Sequence, residues 1–160
     1  MRRDRDPEPS RRPALIDRGS EPDRADDSSR GGPPSSSLRK KKILVVDDSF
    51  TAIMMCRTIL SKRAYDVVTA RDGREAIDKA LQERPDLILM DVVMPNMDGF
   101  QACMRLRSMD TTRAIPIFLL TTRGEAESVA QGFASGCNAY ISKPLNGPEL
   151  LAKIKSYLGE

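Results

Sequence analysis

Ile43-Leu44-Val45-Val46-Asp47-Asp48 is the stretch on which the fold turns: a short, wholly apolar run closed by two adjacent carboxylates. Its pattern returns three times. Leu87-Ile88-Leu89-Met90 ends in Asp91, Ile117-Phe118-Leu119-Leu120 ends in Thr121, and Ala139-Tyr140-Ile141-Ser142 runs into Lys143-Pro144. Short runs that are apolar throughout suit strands covered on both faces. Each delivers polar groups at its C-terminal end. In an open parallel sheet those ends lie side by side, and sites form there. Three acids, a hydroxyl and an ammonium then share one crevice.

The segments between the strands read as helices. Strand one spans 42–47 and is followed by a helix capped by Ser49, with Ile53, Cys56, Ile59 and Leu60 on one face. Strand two lies at about 66–69. The turn Asp72-Gly73 opens a helix with an apolar stripe of Ala76, Ile77, Ala80 and Leu81, which Pro85 ends. Strand three covers 87–90, and the loop 92–99 leads to a helix over roughly 99–108. Strand four is 116–120; a helix over about 124–135 carries Val129 and Phe133 and stops near Gly136. Strand five is 139–142, and the last helix starts at Pro148, with Leu150, Leu151, Ile154 and Leu158 at helical spacing. Right-handed crossovers then give an α/β, doubly wound, five-stranded parallel sheet. The order 2-1-3-4-5, flavodoxin-like and CheY-like, sets the crevice between strands one and three.

Composition narrows the function. Residues 1–42 hold twelve Lys/Arg against eight Asp/Glu, and the remainder fourteen against fifteen, so the net +3 belongs to the N-terminal end. The rest gives no reason to expect nucleic-acid binding. Residues 1–38 are Arg-, Ser-, Pro-, Asp- and Gly-rich, and a disordered tail is expected over 1–40, with the folded domain over 41–160. A docking arm and a wrongly assigned translation start are alternatives for that tail. No apolar run is long enough to span a bilayer and no secretory signal follows the N-terminal arginines, so a cytoplasmic protein without membrane attachment is expected. Cys56, Cys103 and Cys137 read as buried thiols of a reducing compartment. The absence of histidine excludes Ser-His or Cys-His catalysis within the chain.

Asp47-Asp48, the run Asp91-Val92-Val93-Met94-Pro95 with Met97-Asp98-Gly99, then Thr121, Tyr140 and Lys143-Pro144 resemble the receiver domain of bacterial two-component response regulators, of the stand-alone CheY-like type. The resemblance covers about residues 41–160. It implies Asp91 as phosphoacceptor and Mg²⁺ as cofactor, held by Asp48, Asp91 and the Val93 backbone carbonyl, with Asp47 acting through bound water. Bare carboxylates in one site need a counter-cation, and oxygen-only ligands suit Mg²⁺. Taken alone, Asp47 and Asp48 also read as caps of the following helix. The resemblance further implies that Lys143 neutralises the transferred group, aimed inward by a cis bond before Pro144. Thr121 would bond a phosphoryl oxygen and Tyr140 would fill the space it vacates; a plain core aromatic is the other reading of Tyr140.

Three positions are implied to tune the site. Val93 and Arg123 stand where the family adjusts hydrolysis, and an apolar Val93 cannot orient an attacking water, so slow self-dephosphorylation is expected. Thr122 stands where a smaller residue is usual, which narrows access. The implied function is that of a signalling phosphoacceptor rather than an enzyme. A sensor histidine kinase would phosphorylate it, and a target protein would bind the face made by the fourth helix, fifth strand and fifth helix, in a chemosensory or motility pathway. The alternative is a phosphorelay intermediate or phosphate sink that hands the group to a histidine phosphotransfer protein; a phosphatase is a further possible partner. A haloacid-dehalogenase-type phosphatase would need an Asp at Val93, and a flavodoxin would need a hydroxyl- and Gly-rich loop where Asp47-Asp48-Ser49-Phe50 stands.

Overall fold

The computed structural model describes residues 39–122 and 126–159. The expected tail over 1–40 falls almost wholly outside the described residues, as does Arg123. Five strands alternate with five helices: β1 (Lys42–Val46), α1 (Phe50–Leu60), β2 (Asp66–Ala70), α2 (Gly73–Glu83), β3 (Leu87–Asp91), α3 (Gly99–Arg107), β4 (Ile117–Thr121), α4 (Ala126–Ala134), β5 (Ala139–Ser142) and α5 (Gly147–Leu158). All strand pairs are parallel and the order is β2-β1-β3-β4-β5, as the sequence implies.

Successive strand residues point to opposite faces, and here each face meets its own core. Leu44, Val46, Ile88, Met90, Ile117 and Leu119 enter one core, with Ala76 and Ala80 of α2 and Ala102, Cys103 and Leu106 of α3. Ile43, Val45, Leu87, Leu89, Phe118 and Leu120 enter the other, with Ile53, Cys56 and Leu60 of α1 and Leu150 and Ile154 of α5. This two-sided burial is why the strands lack polar alternation.

The helix starts follow local chemistry. Ser49, Asp72, Asp98 and Asn146 are N-caps whose side chains accept backbone N–H bonds from the first turns of α1, α2, α3 and α5. Pro148 therefore lies just inside α5 rather than at its first residue. Two stripe residues depart from expectation. Leu81 is exposed, and so is Phe133 at 51%, whereas the small residues beside them, Ala80 and Gly132, are the buried ones, Gly132 against the Tyr140 ring of β5.

Candidate functional site

The parallel register decides which side chains meet. Val46 of β1 lies opposite Met90 of β3, so Asp47 and Asp91 stand level as the next residues along. Asp91 lies opposite Leu120 of β4, and Thr121 opposite Ser142 of β5. The strand ends thus bring Asp47, Asp91, Thr121 and Lys143 to one rim, around the switch point between β1 and β3. One carboxylate oxygen from each of Asp47, Asp48 and Asp91 lies within 4.8 Å of the other two. Lys143 Nζ donates to Asp47 Oδ2 at 3.0 Å and pairs with Asp91 Oδ1 at 3.3 Å. Thr121 is buried at the end of β4, and its carbonyl accepts the Lys143 backbone N–H at 2.7 Å. The Lys143–Pro144 peptide is cis.

The three acids are not equivalent. Asp47 is only 4% exposed, and both of its oxygens are engaged: Oδ1 accepts the Ser49 N–H at 2.9 Å and Oδ2 accepts from Lys143. Asp48 is exposed and Asp91 half-buried. Burial, then the Asp47 charge, pushes the Asp91 carboxyl above the ordinary range, although Lys143 pulls the other way. Burial opposes the Lys143 ammonium, but its hydrogen bond to Asp47 and the charge of Asp91 outweigh that and hold it above the usual lysine value. Cys56 feels the same field: burial first, then Asp47, pushes its thiol up to about 11. Three carboxylates against one ammonium leave a surplus of negative charge, and the donors are all oxygen. That donor set fits a hard divalent cation such as Mg²⁺.

The loop after Asp91 is stitched in place. Gly99 N–H donates to Val92 O at 2.8 Å, Gly73 N–H to Met97 O at 3.2 Å, and Asn96 Nδ2 to Asp72 Oδ2 at 2.8 Å. Val93 is 59% exposed and Thr122 is exposed, so both stand at the surface near the strand ends. Tyr140 is half-buried against the first core, its ring set against Gly132 of α4, where a Cβ would come within 2.7 Å of Cδ1. One participant had no sequence signal. Arg71, directly after β2, donates from Nη2 to the Asp48 carbonyl at 3.1 Å. Nothing in its neighbourhood along the chain distinguishes it among the 26 Lys and Arg residues of the sequence.

The family description for the response regulator receiver domain matches residues 43–155. This chain belongs to the response regulator receiver family. It is 38% identical over 117 residues to the polar-differentiation response regulator DivK of Brucella anthropi, an alignment covering 71% of this chain and 93% of that protein. It is also similar to the solved chemotaxis response regulator CheY4 of Vibrio cholerae, with 38% identity and a TM-score of 0.70, covering 75% of this chain and all (100%) of that one. A third likeness is to the receiver domain of a Pseudomonas aeruginosa sensor histidine kinase, solved with a magnesium ion coordinated in its active-site cleft. There the identity is 29%, the TM-score 0.71 and the coverage 76% and 100%. The described residues include no helix long and apolar enough to cross a membrane.

Proposed function

We propose that this receiver domain is a stand-alone, cytoplasmic response regulator that takes a phosphoryl group on Asp91 from a sensor histidine kinase and then binds a target protein through α4, β5 and α5. The observation that carries this reading is the convergence of three carboxylates with Lys143 held 3.3 Å from Asp91. In this reading Asp48, Asp91 and the Val93 backbone carbonyl hold Mg²⁺. Asp47, with both oxygens engaged, acts through bound water. The ion, when bound, neutralises charge on the oxygens of the transferred group.

An Asp91 carboxylate oxygen attacks phosphorus in line. The P–N bond of the donor phosphohistidine breaks, its electron pair stays on the imidazole nitrogen, and an acyl phosphate forms on Asp91. Lys143 meets the incoming oxyanion, its ammonium already favoured by its contacts with Asp47 and Asp91. The Thr121 hydroxyl donates to a phosphoryl oxygen, and Tyr140 follows into the space that Thr121 leaves. The added group carries about −1.5 to −2 charge, enough to bias a balanced pair of conformers. Exposed, apolar Val93 orients no water, so the acyl phosphate persists; Thr122 narrows access to it, and Arg123 is, with Val93, a position that tunes its hydrolysis.

The likeness to a chemotaxis regulator supports a chemosensory or motility pathway. A chain without histidine must exchange the group with a partner. That holds equally for the second reading, a relay that hands the group to a histidine phosphotransfer protein; rapid loss of label on mixing with such a protein marks the relay. The first test is incubation with Mg²⁺ and acetyl phosphate, followed by intact mass. The phosphoryl adduct is expected in wild type and absent in Asp91→Asn or with a chelator. An adduct that survives Asp91→Asn refutes the assignment.

A further inference from the structure

We infer that Arg71 is a positioning residue for Asp48, fastening the loop that carries this ligand to the helix on the far side of β1; the inference rests on the magnesium reading of Asp48 given above. Arg71 is itself fixed. Its backbone N–H donates to Glu75 Oε1 at 2.8 Å, and Glu75 belongs to the first turn of α2, whose N-cap Asp72 accepts the Glu75 N–H at 2.8 Å. From this capped helix end the guanidinium crosses to the β1–α1 loop and donates to the Asp48 carbonyl at 3.1 Å.

The choice of acceptor matters. A guanidinium placed on the Asp48 carboxylate would compete with a cation for that ligand. Placed on the carbonyl, it leaves the exposed carboxylate open and fixes only where the backbone stands. The other restraints on this loop act on its neighbours: Asp47 N–H on the Ala70 carbonyl at 3.1 Å, and Ser49 N–H on the Asp47 carboxylate at 2.9 Å. Asp48 is the exposed member of the acidic triplet. It lacks the double engagement that orients Asp47, so its aim depends on the main chain beneath it.

Two effects of Arg71 on Mg²⁺ affinity have opposite signs and can be separated. As a bare charge it repels the ion, and its removal strengthens binding; as a positioning bond its removal weakens binding. The charge effect is suppressed in about 1 M KCl, where the screening length is about 3 Å. The experiment is a Mg²⁺ titration under that condition, followed by NMR amide shifts, on the full chain as wild type, Arg71→Met and Arg71→Lys. Arg71→Met is expected to weaken binding about 3- to 10-fold, with Arg71→Lys restoring most of the loss and the melting temperature of the metal-free protein unchanged. Affinity in Arg71→Met equal to or tighter than wild type overturns the inference, as does a loss matched by a lower metal-free melting temperature. A wild type that binds no Mg²⁺ overturns the reading of the site itself, which is a distinguishable result.

Discussion

Replacing Gly99 by alanine tests the packing that holds the end of β3, where Asp91 stands. Gly99 is the first residue of α3, and its N–H donates to the Val92 carbonyl at 2.8 Å. A Cβ built there stands 2.4 Å from the Asp91 carbonyl oxygen, 3.0 Å from Val92 Cα and 3.2 Å from the Asp91 carbonyl carbon. All three are backbone atoms and none can rotate away, so α3 and the end of β3 must separate. Overpacking of this kind costs about 1–3 kcal/mol, and the strained Gly99–Val92 bond adds about 0.5–1.5 kcal/mol. The sum is a loss of about 1.5–4.5 kcal/mol, or roughly 5–20 °C in melting temperature for a domain of this size. The control is Gly147→Ala at the first residue of α5, where the new methyl meets only Ile59 side-chain carbons at 3.6 and 3.8 Å, an ordinary contact. Thermal unfolding by circular dichroism compares the two, with acetyl phosphate labelling run in parallel on Gly99→Ala, where slower labelling is expected. A Gly99→Ala melting point within about 2 °C of wild type refutes the argument that these backbones touch.

Lys143→Ala strips the counter-charge from buried Asp47. Allowing for the partial exposure of the lysine, it should cost about 2–3 kcal/mol in metal-free protein, part of which added Mg²⁺ restores; a metal-free melting point unchanged by the substitution counts against the ion pair. Asp91→Asn has the opposite sign. A carboxyl whose folded pKa lies above its unfolded value destabilises the fold above that folded pKa, and the penalty fades as pH falls toward the unfolded value. Metal-free Asp91→Asn should therefore melt above wild type at neutral pH, with the gap closing toward about pH 4, the ordinary carboxylate value; a gap that widens on acidification contradicts the sign. Buried Cys56 and Cys137, both pushed up to about 11, should react with an alkylating reagent at least about 100-fold more slowly in native than in unfolded protein near neutral pH; comparable rates refute their burial. Gly132→Ala should move the Tyr140 ring while changing stability by less than about 1 kcal/mol, since the helix gains about that much from alanine; unaltered Tyr140 ring resonances refute the contact.

The strands were legible because burial on both faces writes itself as unbroken apolar runs, and the rim was legible because each run stops on a polar residue. Asp47, Asp91, Thr121 and Lys143 needed only the strand order to bring them together. What the chain does not spell out is lateral contact. That Asp47 spends one oxygen on Lys143, 96 positions away, and the other on Ser49 follows from how β5 ends beside the other strands. Periodicity misjudged Leu81 and Phe133 for a related reason. Spacing gives the direction in which a side chain leaves its helix, whereas coverage depends on the neighbour that arrives there. Arg71 escaped notice because its partner is a carbonyl, a group every residue carries.

At the opposite end of the sheet, Arg107 closes the connection between α3 and β4. Its Nε donates to Gly136 O at 2.8 Å, Nη1 to Ile115 O at 2.7 Å and to Arg113 O at 3.1 Å, and Nη2 to Asn138 Oδ1 at 2.6 Å, an oxygen that also accepts the Ile117 N–H at 2.8 Å. Gly136, at φ +103°, leaves room for the arginine stem, since a Cβ would lie 2.8 Å from Arg107 Cγ. The planar fork of the guanidinium reaches all four acceptors at once, and this rivet joins the beginnings of β4 and β5. With those ends clamped, a displacement begun at Thr121 and Ser142 cannot travel as a slide of one strand past the other. Any such motion has to swing about a fixed pivot, and the swing is widest at the far ends of the two strands, at Thr121 and Ser142.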